Sequence, residues 1–396
     1  MKSNKIRLGE QCVVTSSKRF HLSERITQGV PFYCSKEIIK KFNGEDVTEC
    51  DYISEDLYKK VSNEFGVPKE NDLLITTRGT IGIPYLYKRT DRFYFADGNL
   101  TWIKDFDSNL YSKFLYYWFQ SYEGRKKFEA LAKGTAQKAV PISGIKTLEI
   151  ELPSLKSQKR IADILSAYDD LIENNRKQIK LLEEAAQRLY KEWFVDLRFP
   201  GHENTKIVDG VPEGWNEKTL SQVANVIMGQ SPKSEFYNSE KKGLPFHQGV
   251  GSYGVRFVMD DIYSTSYTRI AEPNSILFSV RAPVGRLNIT KNKVVIGRGL
   301  AAINQTDGCQ SYLYYLLKNK FFKDNIVGNG SIFASVSKDE LLNQKFLIPE
   351  RNLMMQFEKI VSQMDKQIEN LDSKNKKLIE ARDRLLPKLM SGEVEV

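Results

Sequence analysis

The chain has 396 residues, of which 41% are hydrophobic and 11% aromatic, and its formal net charge is +9. This length predicts two or three domains with real apolar cores, which excludes a disordered tail. There is no run of about 18 apolar residues and no apolar stretch near residue 1, so the composition predicts a cytoplasmic protein without a membrane span.

The cysteines and histidines do not form a metal-binding pattern. No two cysteines have CxxC spacing, and the histidines lie far apart in the chain. This spacing predicts reduced thiols and no metal site. The residues concerned are Cys12, Cys34, Cys50, Cys309, His21, His202 and His247.

Residues 1–153 are predicted to form a first mixed domain. Apolar and β-branched runs at 72–77 (DLLITT) and 92–103 (RFYFADGNLTWI) are typical of strands bounded by turn residues. The spacing of aromatic residues predicts one helix around 111–131. The segment carries 24 Lys and Arg against 20 Asp and Glu, and such a basic surplus weakly favours a nucleic-acid partner.

Residues 154–199 are predicted to form a long helical spacer. The stretch 158–193 contains no Pro or Gly, and apolar residues recur at alternating steps of four and three. This is the a/d pattern of a coiled coil, and at 1.5 Å per residue the helix would be roughly 50 Å long. The predicted seam consists of Ile161, Leu165, Ile172, Asn175, Ile179, Leu182, Leu189 and Trp193.

Residues 200–349 repeat the first domain. The line NDLLITTRGTIG at 71–82 returns as NSILFSVRAPVG at 274–285, with Asn first, Arg eighth and Gly twelfth in both copies. FLYYWFQSY at 114–122 returns as YLYYLLKNK at 312–320, which predicts a matching helix around 310–326. This segment also has a basic surplus, 17 against 13, and the Gly- and Pro-rich stretch 198–215 before it is predicted to be a linker.

Residues 350–396 are predicted to form a second helical spacer, which Pro387 is expected to end. If the two spacers pack antiparallel, with paired positions summing to 550, Asn175 lies opposite Asn375 and Trp193 opposite Phe357. Paired Asn side chains in an apolar seam penalise slipped registers. The alternative is that each helix packs on its own domain with the Asn facing water. The second seam consists of Phe357, Val361, Met364, Ile368, Leu371, Asn375, Leu378 and Leu385.

The sequence lacks the motifs of covalent chemistry. There is no GxxxxGK[ST] for nucleoside triphosphates and no [DNS]PP[YFW], the motif of amino-methyltransferases. GVGSYG at 249–254 matches GxGxxG, but VRFVMDD follows it, which is typical of a strand where the dinucleotide motif requires a helix. No catalytic residue is predicted.

The chain resembles the specificity subunits of type I restriction–modification enzymes along essentially its whole length. The most specific stretches are 151–201, beginning ELPSLKSQKRIADIL, together with IPERNLMMQFEKIV at 348–361 and RDRLLPKLMSGEVEV at 382–396. The resemblance implies an α+β fold with two pseudo-twofold related target-recognition domains, separated by two long helices packed as an antiparallel coiled coil. The domains would be residues 1–153 and 200–349, and the helical spacers 154–199 and 350–396.

The resemblance also implies function and partners. Each domain would read one half of an asymmetric, split site in double-stranded DNA, and the helices would set the gap between the halves, roughly 15 base pairs for a 50 Å spacer. Two modification (methyltransferase) subunits would dock on the helices, and motor-nuclease restriction subunits would join for cleavage. This chain would hold no cofactor; S-adenosylmethionine, ATP and Mg²⁺ would belong to the partner subunits.

Candidate DNA contacts come from the repeat itself. Arg78 and Arg281, shared by two domains that read different sequences, are each expected to approach phosphate or a guanine edge, or else to pin the end of its strand to a carboxylate or to carbonyls. Base contacts must differ between the domains, so they are expected where the copies diverge; the alternative is a solvated polar loop. The full candidate set is Lys18, Arg19, His21, Arg78, Thr80, Lys133, Thr135, Gln137, Lys138, Ser231, Lys233, His247, Gln248, Tyr253, Arg256, Arg281, Arg286, Arg298, Ser331 and Phe333.

Two other classes of protein compete with the DNA-reading subunit. One is a self-contained restriction or modifying enzyme, against which the missing methyltransferase motifs count. The other is a structural coiled-coil scaffold whose globular ends bind protein, which would lack salt-dependent affinity for DNA.

Overall fold

The computed structural model describes residues 4–134, 138–321 and 335–396. The chain divides into two compact units, each with its own core. Unit 1 comprises Met1–Lys177 and Asp372–Val396, and unit 2 comprises Gln178–Leu371. Each unit therefore combines one mixed domain with a part of both long helices.

The strands of unit 1 build three small sheets. They are β1 (Asn4–Arg7), β2 (Val13–Thr15), β3 (Val30–Tyr33), β4 (Asp51–Ile53), β5 (Leu73–Thr76), β6 (Pro84–Leu86), β7 (Tyr94–Phe95), β8 (Leu100–Lys104) and β9 (Glu149–Leu152). A four-stranded antiparallel sheet has the order β2-β8-β5-β6, a three-stranded sheet has the order β4-β3-β7, and β1 pairs with β9. Every residue of β5 is buried, as expected of a strand covered on both faces.

The helices of unit 1 are more numerous than predicted. They are α1 (Ser35–Asn43), α2 (Glu55–Glu64), α3 (Ser112–Gln120), α4 (Tyr122–Glu129) and α5 (Ile142–Lys146). The single helix predicted around 111–131 is wrong, because the chain breaks at Ser121 into α3 and α4. The Ser121 hydroxyl accepts a hydrogen bond from the Gly124 amide at 3.1 Å, which is an N-cap that starts a new helix.

Unit 2 repeats the same sheet plan. The long helix α6 (Leu155–Phe194) leads into it. Its strands are β10 (Ile207–Val208), β11 (Val211–Pro212), β12 (Asn216–Thr219), β13 (Ala224–Met228), β14 (Tyr237–Asn238), β15 (Leu244–His247), β16 (Tyr263–Ser264), β17 (Ile270–Ala271), β18 (Ile276–Ser279), β19 (Leu287–Ile289), β20 (Val294–Ile296), β21 (Leu300–Gln305) and β22 (Lys345–Ile348). The four-stranded order β13-β21-β18-β19 matches β2-β8-β5-β6 of unit 1, and a parallel β15–β20 pair matches β3–β7. The VRFVMDD stretch predicted as a strand makes only isolated bridges.

The remaining helices are α7 (Leu220–Val223), α8 (Gln310–Phe321), α9 (Lys338–Leu342) and the second long helix, α10 (Arg351–Ser391). Pro387 lies inside α10, so the prediction that it ends the helix is wrong. A proline this close to the end removes one backbone hydrogen bond from the last turns. Its neighbours Leu386 and Leu389 are buried in the core of unit 1, which holds those turns in place.

The predicted linker 198–215 is also more ordered than expected. It contains the β10–β11 hairpin, and its two aromatic residues, Phe199 and Trp215, are buried in the core of unit 2. Their ring centroids lie 5.5 Å apart. The Gly and Pro residues of this segment therefore mark turns of a packed connection.

The two long helices run antiparallel within each unit. In unit 1, Asn175 Nδ2 donates to Asn375 Oδ1 at 2.8 Å, and both side chains are buried. In unit 2, the ring centroids of Trp193 and Phe357 lie 6.0 Å apart. Both pairs are those predicted from the spacing, and no residue of the predicted seam is exposed. The alternative, in which the Asn side chains face water, is wrong.

The second polar position of the α10 seam, Arg382, also has a partner in unit 1. Arg382 Nη1 lies 2.5 Å from Asp169 Oδ1, and the Tyr117 hydroxyl donates to Asp169 Oδ2 at 2.6 Å. Burial by itself lowers the pKa of Arg382, but the Asp169 carboxylate outweighs burial and raises the pKa. The charge of Arg382, which interrupts the apolar seam, is therefore balanced by the carboxylate of Asp169.

The Asn pair leads to a testable prediction. Replacing Asn175 with Ala leaves the Asn375 amide buried without a partner, and we expect the free energy of unfolding of the full chain to fall by about 1–3 kcal/mol. The double variant Asn175→Leu/Asn375→Leu should recover most of this loss, because two apolar side chains can pack against each other. Denaturant midpoints of the single and double variants check the prediction. Single variants as stable as the unchanged chain would contradict it.

Candidate nucleic-acid interface

The repeated line at 71–82 and 274–285 forms the same turn–strand–turn in both units. Asn71 and Asn274 have φ values of 72° and 65°, and Gly82 and Gly285 have φ values of 82° and 86°. Asn and Gly are the residues that tolerate this left-handed backbone. The left-handed backbone thus explains both shared residue types. The Asn lies just before β5 or β18, and the Gly lies at the end of the turn that follows the strand.

A hydroxyl at the end of each strand holds the turn in shape. Thr76 Oγ1 accepts from the Ile83 amide at 2.9 Å in unit 1, and Ser279 Oγ accepts from the Arg286 amide at 2.8 Å in unit 2. The backbone amides of Gly82 and Gly285 donate back to the same two residues. The motif Arg therefore lies at an equivalent, well-defined place in both units.

Arg78 and Arg281 are both exposed at this place. Within the described residues, neither guanidinium makes an ion pair or a hydrogen bond. The backbone of each forms an isolated bridge, Arg78 to Ala139 and Arg281 to Ser335. The carboxylate partner of the alternative interpretation is thus not found in the described part of the chain, and each arginine presents its charge to solvent.

In unit 1, Arg78 lines a cavity of about 340 Å³ together with Ser16, Asp97 and Lys133. Asp97 Oδ1 accepts from the Ser16 hydroxyl at 2.7 Å, and Asp97 Oδ2 accepts from Arg19 Nε at 3.0 Å. The structure thereby brings the 16–21 loop, the motif arginine and Lys133 to one place. The cations at this place outnumber the single carboxylate, which suits a polyanion.

In unit 2, Arg281 lines a cavity of about 170 Å³ together with Gln248 and the backbone of Gly299. The Ser231 hydroxyl donates to Gln248 Oε1 at 2.9 Å and accepts from the Arg298 amide at 3.2 Å. Four predicted DNA-contact residues from separate stretches of the sequence therefore lie close together, namely Ser231, Gln248, Arg281 and Arg298. Among the residues that the structure describes, no carboxylate lines this cavity.

The other candidates of unit 1 lie at the surface. Lys18 is exposed, with its ammonium 4.9 Å from the centre of the Phe65 ring. His21, Thr80 and Lys138 are exposed as well. Thr135 and Gln137 lie outside the described residues. In unit 2, Lys233 and Arg298 are exposed and Arg286 is half-buried, whereas Ser331 and Phe333 lie outside the described residues.

Three candidates in the 247–256 stretch are corrected by the structure. His247 is fully buried, with Nδ1 2.9 Å from Ser252 Oγ and Nε2 3.2 Å from Asp260 Oδ1. The Tyr253 hydroxyl donates to the Leu277 carbonyl at 3.0 Å, and its ring packs against a core cluster. Their polar groups are satisfied inside the protein, so they are not available to bases.

Arg256 is the third correction, and its surroundings explain it. It is 3% exposed, and its guanidinium lies 3.8 Å from the centre of the Tyr314 ring. Its Nη2 lies 2.5 Å from Asp365 on α10, and its Nη1 lies 3.5 Å from Glu183 on α6. Burial by itself lowers the pKa of Arg256, but Tyr314 and Asp365 outweigh burial and raise the pKa. Through these two ion pairs, Arg256 links its loop to both long helices within unit 2.

Sequence reasoning missed Asp97, although a signal for it existed. The stretch ADGNL at 96–100 of unit 1 aligns with IGRGL at 296–300 of unit 2, directly before β8 and β21. Backbone hydrogen bonds confirm the equivalence of Asn99 and Gly299, since the Thr77 amide donates to Asn99 O and the Val280 amide donates to Gly299 O. The copies diverge here beside the shared arginine, which is the pattern expected of base-reading positions.

Other kinds of site are not found in the described ranges. Within residues 4–134, 138–321 and 335–396, no three His, Cys, Asp or Glu side chains come together as a metal site would require. Of the helices in these ranges, none combines the length and the apolarity needed to cross a bilayer.

Comparisons with known proteins give results that agree with one another. A protein-family model described as the Type I restriction modification DNA specificity domain matches residues 3–184 and 212–381. The MjaX specificity subunit of a type I restriction enzyme, from Methanocaldococcus jannaschii, is 30% identical over 328 residues, which cover 81% of this chain and 77% of that protein. The HindI specificity subunit from Haemophilus influenzae is 25% identical over 361 residues, with coverage of 71% and 77%.

A solved structure shares the fold. The crystal structure of the type I restriction–modification system S subunit from M. genitalium covers 98% of this chain and 96% of its own, with a TM-score of 0.61 at 19% identity. At this level of identity the likeness concerns the fold, and it agrees with two repeated α+β domains and two long helices.

Proposed function

The chain belongs to the type I restriction–modification DNA specificity family, and we propose how its two units divide the work of recognition. As a member of this family it is a non-catalytic DNA sequence-recognition subunit. Our proposal is that each unit binds one half of an asymmetric, split site in double-stranded DNA. The alternative of a protein-binding scaffold is not favoured by these relatives.

One observation carries the proposal. Arg78 and Arg281 occupy equivalent places beside a cavity in each unit, are exposed, and have no ion pair within the described residues. A cation shared by two readers of different sequences is suited to phosphate, which is the same at every base pair. The polar neighbours differ between the units, as contacts to bases must if the two half-sites differ.

The helices are proposed to set the gap between the half-sites and to dock two modification subunits. Exposed apolar side chains on α6 and α10 support docking, among them Leu181, which is 64% exposed, and Met355, which is 44% exposed. Motor-nuclease subunits would join the same assembly. We propose that this chain holds no cofactor, and that S-adenosylmethionine, ATP and Mg²⁺ act in the partner subunits.

The test is a methylation map. The full chain is co-expressed with its cognate modification subunit, and every methylated adenine in the host DNA is located by sequencing. We expect one asymmetric motif with two short defined halves and a fixed unread gap. The matched control is the modification subunit expressed without this chain, which should leave no such motif.

Two outcomes would count against the proposal. A palindromic or uninterrupted motif would mean that the two units do not read independent halves. Absence of methylation from a complex shown to be intact would move the weight to the scaffold alternative.

A further inference from the structure

The cavities beside the two motif arginines present polar groups of opposite hydrogen-bonding character. Unit 1 presents the Asp97 carboxylate, which only accepts hydrogen bonds. Unit 2 presents the Gln248 amide, whose oxygen already accepts from Ser231. This leaves its amide NH₂ group as a donor with no hydrogen-bond partner among the described residues.

The two groups come from different positions of the repeat, although each lines the cavity beside its motif arginine. Tyr33 and His247 are equivalent, because each accepts a backbone hydrogen bond from the residue that follows its strand partner, which is Ala96 after Phe95 and Gly297 after Ile296. Gln248 therefore corresponds to Cys34 in unit 1, and Gly297 corresponds to Ala96, so Asp97 lies one residue beyond the equivalent of Gly297. Unit 1 supplies its polar group from the turn after β7, whereas unit 2 supplies its group from the residue that follows β15.

Glycine at 297 and 299 is what lets Gln248 fill this space. A Cβ at Gly297 would lie 2.7 Å from Gln248 Oε1 and 3.0 Å from its Cα, and a Cβ at Gly299 would lie 2.5 Å from its backbone oxygen. An aspartate at 297 is thus incompatible with Gln248 in its present position. Each unit presents one polar group beside its arginine, the Asp97 carboxylate in unit 1 and the Gln248 amide in unit 2.

Both groups are held in orientation by a serine from the loop that follows the edge strand of the four-stranded sheet. In unit 1, Ser16 and Arg19 fix the two oxygens of Asp97 at 2.7 Å and 3.0 Å. In unit 2, Ser231 accepts from the Arg298 amide and donates to Gln248. A group that reads bases requires such a fixed orientation.

We propose that Asp97 and Gln248 are specificity-determining residues that read base positions of opposite polarity. Asp97 accepts from the amino group of cytosine or adenine in the half-site of unit 1. Gln248 donates to the oxygen of guanine or thymine in the half-site of unit 2. In the major groove these amino and oxo groups distinguish the bases on a given strand. This inference rests on the proposed function, in which each unit reads one half-site.

The experiment compares methylation motifs of complexes formed by the full chain and its cognate modification subunit. Asp97→Asn presents a donor as well as an acceptor, so discrimination at one position of the unit 1 half should fall by roughly 10-fold or more. Gln248→Glu is nearly isosteric and still accepts from Ser231. It should change one position of the unit 2 half from an oxo base to an amino base. Asp105→Asn and Gln356→Glu, both at exposed positions, serve as matched controls and should leave the motif unchanged.

A second measurement does not depend on the folding of a variant. The unaltered complex is bound to duplexes that lack one amino group at a time, with purine in place of adenine or 2-pyrimidinone in place of cytosine. Loss of affinity by roughly 10-fold at one position of the unit 1 half supports the assignment of Asp97. Equal affinity at every such position overturns it.

The failure of this inference can be told from failure of the proposed function. If the unaltered chain directs a split motif and both variants retain it in full, the inference is overturned and the proposed function stands. A uniform loss of methylation at all sites, from variant complexes that assemble normally, also overturns the inference. If the unaltered complex has no split motif, the proposed function fails and the inference fails with it.

Discussion

Replacing Arg256 with Met is expected to lower the free energy of unfolding of the chain by about 3 kcal/mol, because it leaves two carboxylates without their shared cation. The side chains of Asp365 and Glu183 are only 22% and 19% exposed, so water would solvate their unpaired charges poorly. The stack on Tyr314 would be lost as well. Denaturant or thermal unfolding of the full chain, alone or within its complex, measures the change.

Arg256→Lys is expected to recover little of this stability. A lysine ammonium is a point charge and cannot face two carboxylates and stack on a ring in the manner of a planar guanidinium. The matched control is Arg281→Met, which removes an exposed arginine and should change the free energy of unfolding by less than about 0.5 kcal/mol. An Arg256→Met chain of unchanged stability but altered DNA specificity would restore the earlier interpretation of Arg256 as a base reader.

Arg78→Ala and Arg281→Ala are each expected to weaken DNA binding by the assembled complex by roughly 10-fold at low salt. The reason is the loss of one phosphate contact in each half-site, which should also reduce the slope of log affinity against log salt by about 1 per variant. The double variant should show about twice the change in slope. Salt titrations of binding to the cognate duplex check the prediction.

The same variants distinguish phosphate contact from base contact. Loss of affinity that is equal across DNA sequences, with an unchanged methylation motif, is the expected result. Relaxation of a single base position would show that the arginine reads a base, and no change in affinity or slope would place it outside the interface. Arg89→Ala, at an exposed turn position after β6 and not lining the cavity, is the matched control.

The helix pair shows how far spacing alone can predict structure. For an antiparallel pair, the steps of four and three, interrupted at Asn175 and Asn375, were sufficient to predict the register, and the two amides are 2.8 Å apart. This succeeds because the helical period is regular, and a slip in register would bury a polar amide against an apolar side chain. The repeated line was predictable for a similar reason, since only a few residue types tolerate the backbone at Asn71 and Gly82.

The candidate site was harder to predict because polarity does not reveal the direction in which a side chain points. Arg256 and His247 lie in the same divergent stretch as Gln248, yet the first two are buried and the third is exposed. Burial of Arg256 depends on Asp365, which is 109 residues away in the chain. No sequence pattern near Arg256 could therefore indicate Asp365 as its partner.

The sequence by itself determined the features that depend on local periodicity and on backbone limits: the duplication, the α+β class, the two long helices and, for an antiparallel pair, their register. Only the tertiary structure decided which polar residues gather beside the shared arginines. Asp97 meets Ser16 across 81 residues, and Gln248 fills a space that exists because 297 and 299 are glycine. Such contacts join distant segments through sheet pairing, whose long-range partners are selected by packing of the whole unit and are not encoded in any one stretch.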